Sequence, residues 1–435
     1  MNPIIAIVGR PNVGKSTLFN RLSRSRDALV DDQPGVTRDR LYASVVWDDR
    51  GLTLIDTGGF QQSDEDPLHG LVRDQVIKAI EESDRILFMV DGREGMMPGD
   101  QEIADLIRRT GKEVCLAVNK VDGPELEHLV SDFYGLGIPR VHSVSAAHGY
   151  GIRALMADLI QELPEAVPEG EDDNRVRAAI LGRPNVGKSS LINRILGTDR
   201  LLVSEIPGTT RDAVDILCTW KGKEYLLIDT AGIRRKGRVR EKIEKFSVIK
   251  ALRGLERCHV AVVMTDASSG ITDQDVRICG YAFERGRAIV LAMNKWDLVK
   301  KSPVDRRLLD EGVDRHLTFL RFAPRLHLSA LTGEGVHRLF QKIDLVFAQF
   351  SRRVNTGELN RALEEIVGRN PPPKSGRGGL KLYYATQSGV RPPTIVAFVN
   401  NPEKVHFSYR RFLTNHLREK LGLDLTPLRL IFRKR

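Results

Sequence analysis

The sequence predicts an α/β protein with two P-loop domains of mainly parallel sheet, followed by a small α+β domain. The first reason is an internal repeat, since five short blocks occur twice, in the same order, within the first 350 residues. The second reason is that each copy alternates continuous apolar runs with amphipathic stretches, which is typical of parallel strands buried between helices. The third reason is charge, because residues 351–435 carry a net charge of +11 whereas the rest of the chain carries −1.

The composition excludes several classes of protein. Hydrophobic residues make up 41% and charged residues 29% of the 435 residues, which is close to the average for soluble globular domains. No apolar run approaches the ~20 residues needed to cross a bilayer, and residues 1–10 lack the features of a secretion signal. The four cysteines are spaced neither as a zinc site nor as a disulfide framework, so we expect a cytoplasmic protein with buried, reduced thiols.

The repeat defines the domain organisation. The paired blocks are GRPNVGKST and GRPNVGKSS, PGVTRD and PGTTRD, DTGG and DTAG, NKVD and NKWD, and SAAHGYG and SALTGEG. Their offsets grow from 173 to 184 residues, so each copy is a whole domain and not a solenoid unit. An acidic segment with two prolines separates the copies and predicts an exposed linker. We therefore expect domain 1 over residues 1–162, the linker over 163–174, domain 2 over 175–350 and domain 3 over 351–435.

Apolar runs give the expected strands of each domain. In domain 1 they lie at 4–8, 41–47, 52–56, 86–91 and 114–119, and in domain 2 at 177–181, 225–229, 260–266 and 288–294. Domain 3 is predicted to run helix, strand, strand, helix, strand, at 360–367, 380–386, 394–400, 406–422 and 427–435.

A phosphate-binding loop stands after the first strand of each copy. The pattern G-x-x-x-x-G-K-[ST] follows an apolar strand and opens a helix, as the motif requires. Its glycines let backbone N–H groups and the helix N-terminus surround an anion, the lysine contacts the β and γ phosphates, and the serine hydroxyl binds Mg²⁺. The predicted residues are Gly9, Arg10, Pro11, Asn12, Val13, Gly14, Lys15, Ser16 and Thr17, and Gly182, Arg183, Pro184, Asn185, Val186, Gly187, Lys188, Ser189 and Ser190.

The second and third blocks predict the rest of the phosphate site. A carboxylate at the end of a strand can hold the Mg²⁺ shell, a glycine N–H can contact the γ-phosphate, and a loop threonine can add a second Mg²⁺ hydroxyl that is released after hydrolysis. The carboxylate blocks are Asp56, Thr57, Gly58 and Gly59, and Asp229, Thr230, Ala231 and Gly232, and the threonines are Thr37 and Thr210. The predicted Mg²⁺ ligands are therefore Ser16, Thr37 and Asp56 in one site, and Ser189, Thr210 and Asp229 in the other.

The last two blocks predict selection of guanine. A carboxylate can accept hydrogen bonds from guanine N1–H and the 2-amino group, and adenine offers no such pair of donors, so a site of this kind discriminates strongly. A backbone N–H of the SA block can donate to the guanine oxygen. The residues are Asn119, Lys120, Asp122, Ser145 and Ala146, and Asn294, Lys295, Asp297, Ser329 and Ala330.

In this order, the motifs resemble those of the translation-factor-related GTPases. Two such domains before a short basic domain are similar, over essentially the whole chain, to the double-Era-like GTPase family Der, also called EngA. The resemblance implies two Ras-like GTPase domains, hydrolysis of GTP to GDP by water, and a KH-like domain 3. It also implies a role in assembly of the large ribosomal subunit, with that subunit and its RNA as partners, and we expect a monomer that binds neither DNA nor membrane.

Two features leave alternatives open. The residue after D-x-x-G is Phe60 in one copy and Ile233 in the other, and neither side chain can orient water. An RNA-binding scaffold that holds GTP or GDP with negligible turnover is therefore the alternative function. In domain 3 the literal G-x-x-G match, Gly376 to Gly379, precedes a strand and not a helix, which argues against the usual KH mode of binding a single strand.

The segments after D-x-x-G differ in charge between the copies. The first is acidic and the second basic, which suggests that they face different partners, the acidic one domain 3 and the basic one RNA. These residues are Asp64, Glu65 and Asp66, and Arg234, Arg235, Lys236, Arg238, Arg240 and Lys242.

We predict that K⁺ stimulates hydrolysis through Asn12 and Asn185. In related GTPases with apolar residues after D-x-x-G, a similarly placed asparagine binds K⁺, whose charge replaces that of an arginine. Replacing Asn12 and Asn185 by Ala should remove most of any difference in phosphate release between K⁺ and Na⁺ buffers. An ion response that survives both substitutions would contradict the hypothesis.

Overall fold

The computed structural model describes residues 3–23, 42–48, 50–57, 77, 79–81, 83–161, 175–197, 202–207, 214–228, 248–372 and 379–435. The chain divides into two compact units, Met1–Glu171 and Asp172–Arg435. The predicted linker at 163–174 lies outside the described residues.

The first unit contains a six-stranded sheet with helices on both faces. Its strands are β1 (Ile4–Val8), β2 (Tyr42–Trp47), β3 (Arg50–Asp56), β4 (Arg85–Asp91), β5 (Val114–Asn119) and β6 (Arg140–Ser143). Its helices include α1 (Lys15–Ser23), α2 (Pro98–Arg108) and α3 (Ile152–Ile160), with a 3-10 helix over Pro124–Leu136. The strand order is β2-β3-β1-β4-β5-β6, and all neighbours are parallel except β2 and β3.

The central strand β1 explains why both faces of this sheet are covered. Ile5 and Ile7 belong to a core formed with α1 and α3, whereas Ala6 and Val8 belong to a second core formed with α2 and the 3-10 helix. Alternate side chains of a strand point to opposite faces, and every residue of β1 is apolar and buried. Such a strand is stable only between two helical layers, so polar groups can reach a ligand only at the ends of the strands.

The second unit begins with a seven-stranded sheet. Its strands are β7 (Val176–Leu181), β8 (Leu202–Pro207), β9 (Val214–Trp220), β10 (Lys223–Ile228), β11 (Val260–Asp266), β12 (Ala288–Asn294) and β13 (Arg325–His327). The helices are α4 (Lys188–Leu196), α5 (Val248–Arg257), α6 (Asp273–Glu284), α7 (Trp296–Val299), α8 (Pro303–His316) and α9 (His337–Phe350), with a 3-10 turn at Thr318–Leu320. The order is β13-β12-β11-β7-β10-β9-β8, with antiparallel pairing confined to β8, β9 and β10.

The same unit ends in a small α+β domain. Its elements are α10 (Thr356–Arg369), β14 (Leu382–Gly389), β15 (Thr394–Val399), a 3-10 turn (Pro402–Lys404), α11 (Phe407–Lys420) and β16 (Arg429–Lys434). The strands form a sheet of order β14-β15-β16, antiparallel and then parallel. Both helices contribute to a single core with one face of this sheet, which includes Ala385, Ala397 and Phe432.

Polar and aromatic contacts join this small domain to the end of α9. The carboxamide of Gln349 donates to Asp424 Oδ1 at 2.9 Å and accepts from the Leu425 N–H at 2.7 Å. The Arg418 guanidinium stacks on the Phe322 ring at 4.6 Å, and burial lowers the pKa of Arg418 to about 10. Leu425 also packs against the core of the seven-stranded domain, so the two parts of this unit share buried surface.

The structure confirms the predicted fold class. Each domain with a phosphate-binding loop has a mainly parallel sheet, and the last domain has the predicted order of helix, strand, strand, helix and strand. Sequence analysis did not predict β6, β8, β9 and β13. Strands β6 and β13 escaped prediction because runs such as RVHS are short and polar. Within the described ranges, no helix combines the length and apolar character that crossing a bilayer requires.

Candidate functional site

The sequence motifs meet at one edge of each parallel sheet. In the first unit β1, β3 and β5 end at the phosphate-binding loop, at Asp56 and at Asn119 respectively. Because neighbouring parallel strands end at the same edge, residues distant in sequence lie side by side there. In the second unit β7 and β12 end in the same way, at the second phosphate-binding loop and at Asn294.

The backbone of each phosphate-binding loop is shaped to bind an anion. Asn12 and Gly14 have positive φ values of 66° and 99°, and Asn185 and Gly187 have 65° and 99°. Left-handed residues alternating with right-handed ones direct successive N–H groups into one concavity, and here the N-terminus of a helix follows at once. Backbone geometry alone therefore provides a phosphate cradle in both units.

The loop lysines lie inside this cradle. Lys15 is buried, with 4% of its surface exposed, and its ammonium donates to the carbonyls of Gly9 at 2.8 Å and Arg10 at 2.6 Å. Burial lowers the pKa of Lys15 to about 8, although the nearby negative charge of Asp56 opposes the shift. Lys188 donates to the Arg183 carbonyl at 2.8 Å. Backbone carbonyls of the loop thus hold both ammonium groups beside the anion-binding N–H groups.

One buried asparagine in each unit ties three motifs together. Asn119 donates from Nδ2 to the Val13 carbonyl at 2.7 Å, and its Oδ1 accepts from the Ala146 N–H at 2.8 Å. The carboxamide therefore links the phosphate-binding loop, strand β5 and the SA block. We call this side chain, and its counterpart Asn294, the asparagine clamp.

The clamp of the second unit has the same geometry. Asn294 donates to the Val186 carbonyl at 2.6 Å and accepts from the Ala330 N–H at 2.8 Å. In both units the N–H that sequence analysis assigned to the guanine oxygen thus has a partner within the protein. A Cβ atom on Gly14 or Gly187 would overlap the clamp nitrogen, and both residues have a φ that favours glycine.

The predicted base-reading carboxylates differ in their surroundings. Asp122 accepts hydrogen bonds from the Ser145 hydroxyl at 2.6 Å and from the Arg93 guanidinium at 2.6 Å. The Ser145 hydrogen bond, with help from Arg93, holds the pKa of Asp122 below its usual range. Asp297 is half-buried, and Ser268 stands where the repeat would place a counterpart of Arg93, 175 residues on. The first site therefore has a cation beside its base-reading carboxylate at a position where the second site has a serine.

The lysines of the NKxD blocks form ion pairs with aspartates at the ends of the neighbouring strands. Lys120 forms an ion pair with Asp91, and Lys295 pairs with Asp266 at 2.6 Å. Although burial opposes it, the hydrogen bonds from Lys295 and Ser268 hold the pKa of Asp266 below its usual range. Both lysines have positive φ, 68° and 63°, so each pair fixes a tight turn at the end of a strand.

Sequence analysis missed two further anchors that occur in both units. Arg10 donates to the buried Asp100 at 2.8 Å, and Arg183 pairs with the buried Asp275 at 3.4 Å. Arg21 donates to the Ala146 carbonyl at 2.6 Å, and its counterpart Arg194 to the Ala330 carbonyl at 3.2 Å. The two arginines recur at an offset of 173 residues, Asp100 at 175 and Ala146 at 184, and this recurrence was the available signal.

The described oxygen donors fit a hard divalent cation. Ser16, exposed in the first turn of α1, and Asp56, buried at the end of β3, offer the oxygen ligands that Mg²⁺ prefers. Mg²⁺ usually takes one or two protein ligands and completes its shell with substrate phosphates and water, so a small set of this kind is suitable. Ser189 has the equivalent place in the second unit. The described ranges contain no cluster of three His, Cys, Asp or Glu side chains arranged to hold a metal.

The other predicted residues are placed as follows. Thr57 donates its hydroxyl to the Ile7 carbonyl at 2.7 Å, and Ser329 accepts from the Thr332 N–H at 3.1 Å. Val13 and Val186 are buried, whereas Pro11, Thr17 and Ser190 are exposed and Pro184 is half-buried. Outside the described residues lie Thr37, Gly58, Gly59, Phe60, Asp64, Glu65, Asp66, Thr210, Asp229, Thr230, Ala231, Gly232, Ile233, the basic segment 234–242, Gly376 and Gly378.

Comparisons with known proteins agree with this geometry. A family model described as "50S ribosome-binding GTPase" matches residues 4–120 and 177–295, and one described as "KH-domain-like of EngA bacterial GTPase enzymes, C-terminal" matches 353–433. GTPase Der of Syntrophobacter fumaroxidans is 54% identical over 99% of this chain and 98% of its own length. GTPase Der of Syntrophotalea carbinolica is 50% identical over 99% of each chain.

Similar solved structures cover smaller parts of the chain. Era from Aquifex aeolicus, bound to GDP and AlF4−, is 26% identical over 48% of this chain and 75% of its own, with a TM-score of 0.32. The G domain of FeoB from T. maritima is 27% identical over 39% of this chain and 97% of its own, with a TM-score of 0.27. Each of these two structural matches thus spans less than half of this chain.

We predict that the asparagine clamp contributes to nucleotide affinity. Asn119→Ala removes two hydrogen bonds that hold the phosphate-binding loop against the SA block, each worth ~0.5–1.5 kcal/mol. GDP affinity of the first site should therefore fall roughly 5- to 150-fold. Isothermal titration in a Lys188→Ala background, which disables the second site, measures the first site alone. Asn20→Ala on α1 is the matched control, and equal affinities for the two variants would contradict the prediction.

We also predict a pH dependence for the first site. Since the pKa of Lys15 is about 8, its ammonium loses charge in the free protein as the pH rises from about 7.5 to about 9, whereas a bound phosphate favours the charged form. GDP affinity should fall over this range, by at most ~10-fold per pH unit. The Lys15→Arg variant stays charged over this range, so its GDP affinity should fall only as far as ionisation of guanine lowers it. If the GDP affinities of the wild type and the Lys15→Arg variant changed in parallel with pH, the lowered pKa of Lys15 would be refuted.

Proposed function

This chain belongs to the Der family of GTPases, and from that premise we propose that its GTPase activity serves assembly of the large ribosomal subunit. The observation that carries the proposal is the match of a 50S ribosome-binding GTPase model to both nucleotide domains. The net charge of +11 in residues 351–435 supports an RNA partner. The partners would be the large subunit and its RNA. The protein would act as a cytoplasmic monomer that binds neither DNA nor membranes.

The described residues suggest how GTP is held. The N–H groups of each phosphate-binding loop and the adjacent lysine would bind the β and γ phosphates, while Asp122 and Asp297 would accept from guanine. The clamp and the Arg10 and Arg183 ion pairs keep these groups in place before GTP arrives. Substrate binding therefore requires little reorganisation of the described part of the site.

Catalysis would depend on charge and position. Ser16 and Asp56, with Thr37, would hold Mg²⁺ in the first site, and Ser189, Thr210 and Asp229 would do so in the second. Bound Mg²⁺ would offset negative charge on the phosphates during attack by water. Lys15 and Lys188 add positive charge at the same oxygens, and the N–H groups of Gly59 and Gly232 would contact the γ-phosphate. We propose K⁺ at Asn12 and Asn185 as the source of further charge, because Phe60 and Ile233 cannot orient water.

Loss of the γ-phosphate would change affinity for the ribosome. The groups proposed to contact it are Thr37 and Gly59 in one domain and Thr210 and Gly232 in the other, and in sequence they precede β2, follow β3, precede β9 and follow β10. A ligand shifts a conformational equilibrium only through contacts that differ between the two states. Contacts made only while the γ-phosphate is present are of this kind.

The test is co-sedimentation of the full chain with purified ribosomal subunits. We expect binding to the large subunit to be about 5- to 150-fold tighter with a non-hydrolysable GTP analogue than with GDP. Small subunits are the control, and multiple-turnover phosphate release measures hydrolysis in the same samples. Binding that ignores the nucleotide would favour the scaffold alternative, and no binding in any state would remove the ribosomal assignment.

A further inference from the structure

One face of the sheet in domain 3 is not covered by helices α10 and α11. The register of β14 and β15 shifts between Leu382 and Tyr384, so this edge contains a β-bulge. A bulge breaks the regular alternation of side chains and redirects them. As a result two consecutive aromatic residues, Tyr383 and Tyr384, are both exposed, by 43% and 44%.

Aromatic and cationic side chains line up across this open face. Tyr384 lies opposite Phe398 on β15, and Phe398 lies opposite Arg433 on β16. The rings of Tyr384 and Phe398 are stacked, with centroids 4.5 Å apart and an interplanar angle of 20°. The Arg435 guanidinium lies over the Tyr383 ring at 5.1 Å. We call Tyr383, Tyr384 and Phe398 the aromatic row.

The charges around the row are of one sign. Arg433 and Arg435 are exposed at the end of β16, Arg433 opposite Phe398 and Arg435 over the Tyr383 ring. The strands β14, β15 and β16 contain no Asp or Glu. The acidic residues of domain 3 belong to the helices and the connections between elements: Glu358, Glu364, Glu365, Glu403, Glu419 and Asp424. The open face therefore combines exposed rings with positive charge.

This combination fits one class of ligand better than others. Single-stranded RNA offers unpaired bases that stack on aromatic side chains and phosphates that attract Arg and Lys. In duplex RNA the bases are stacked on one another, so its phosphates could contact the cationic side chains but its bases could not stack on the aromatic rings. A protein partner would have to be acidic as well as apolar.

We propose that the aromatic row binds single-stranded RNA. Bases would stack on Tyr383 and Tyr384, the latter supported from its side by Phe398, while Arg433 and Arg435 meet the phosphates. The site is on the open face of the sheet and does not involve the G-x-x-G segment. It rests on the proposed function in one respect, that RNA is a partner of this chain.

The test measures binding of the full-length protein to a fluorescent single-stranded RNA of about 12 nucleotides that lacks secondary structure. Replacing both Tyr383 and Tyr384 by Ala should weaken binding about 5- to 150-fold for each base that loses its ring. Replacing both by Phe should keep most of the affinity, because stacking needs the ring and not the hydroxyl. Phe407→Ala, which removes a ring that is 60% exposed on α11, is the matched control.

Two further measurements separate stacking from charge. A duplex of the same length should lose little affinity in the double alanine variant. Replacing Arg433 and Arg435 by Ala should weaken binding of both RNAs and flatten its salt dependence. A 2-aminopurine base in the single strand should be quenched by the wild type and less by the alanine variant. Thermal unfolding and GTP hydrolysis, which do not involve the row, report whether each variant is folded.

The proposal is overturned if the double alanine variant binds the single strand as tightly as the wild type, or if single strand and duplex lose affinity equally. Failure of a folded wild type to bind any single strand overturns it as well. Co-sedimentation of the wild type with large subunits, measured in parallel, distinguishes this failure from failure of the proposed function. GTP-dependent binding to the subunit together with unchanged RNA affinity would reject the row and retain the ribosomal role.

Discussion

The asparagine clamp is the interaction on which each nucleotide site depends. Asn119 and Asn294 lie at the ends of buried strands, and each carboxamide uses both of its ends to hold backbone from two other motifs. The phosphate-binding loop cannot move away from the base-reading blocks without breaking a buried hydrogen bond, which is costly in a site that excludes water. The clamp also explains why glycine is needed at Gly14 and Gly187, since a side chain there would displace the amide.

Around the clamp, the two copies share several arginine contacts but differ in charge beside the base-reading carboxylate. Arg10 and Arg183 reach buried carboxylates at the start of a helix, and Arg21 and Arg194 hold the SA blocks by their carbonyls. Such anchors position a site without touching a ligand, so both copies need them equally. The position equivalent to Arg93, whose guanidinium contacts Asp122, is Ser268 in domain 2, so the two base-reading sites differ in charge at this position.

The sequence was sufficient for the fold because buried parallel strands are continuous apolar runs and the motifs occur at their ends. It was not sufficient for the contacts that position the motifs. Pairs such as Arg10 with Asp100 join residues 90 positions apart, and no local periodicity encodes which distant carboxylate a given arginine meets. The outward direction of both Tyr383 and Tyr384 was hidden for a related reason, because regular alternation assigns consecutive residues of a strand to opposite faces and only the bulge changes this. The short polar strands β6 and β13 lack the apolar pattern by which strands are recognised.

The contacts of Gln349, Phe322 and Leu425 have a consequence for how this chain unfolds. They join the seven-stranded domain to the small domain that follows it through half-buried polar groups, a buried ring and an apolar side chain. Losing either part would expose Phe322 and the apolar surface around Leu425 to water, so the two parts should lose structure together as one cooperative block. Although the sequence contains three domains by motif and composition, domains 2 and 3 should then melt as one block, within the compact unit Asp172–Arg435.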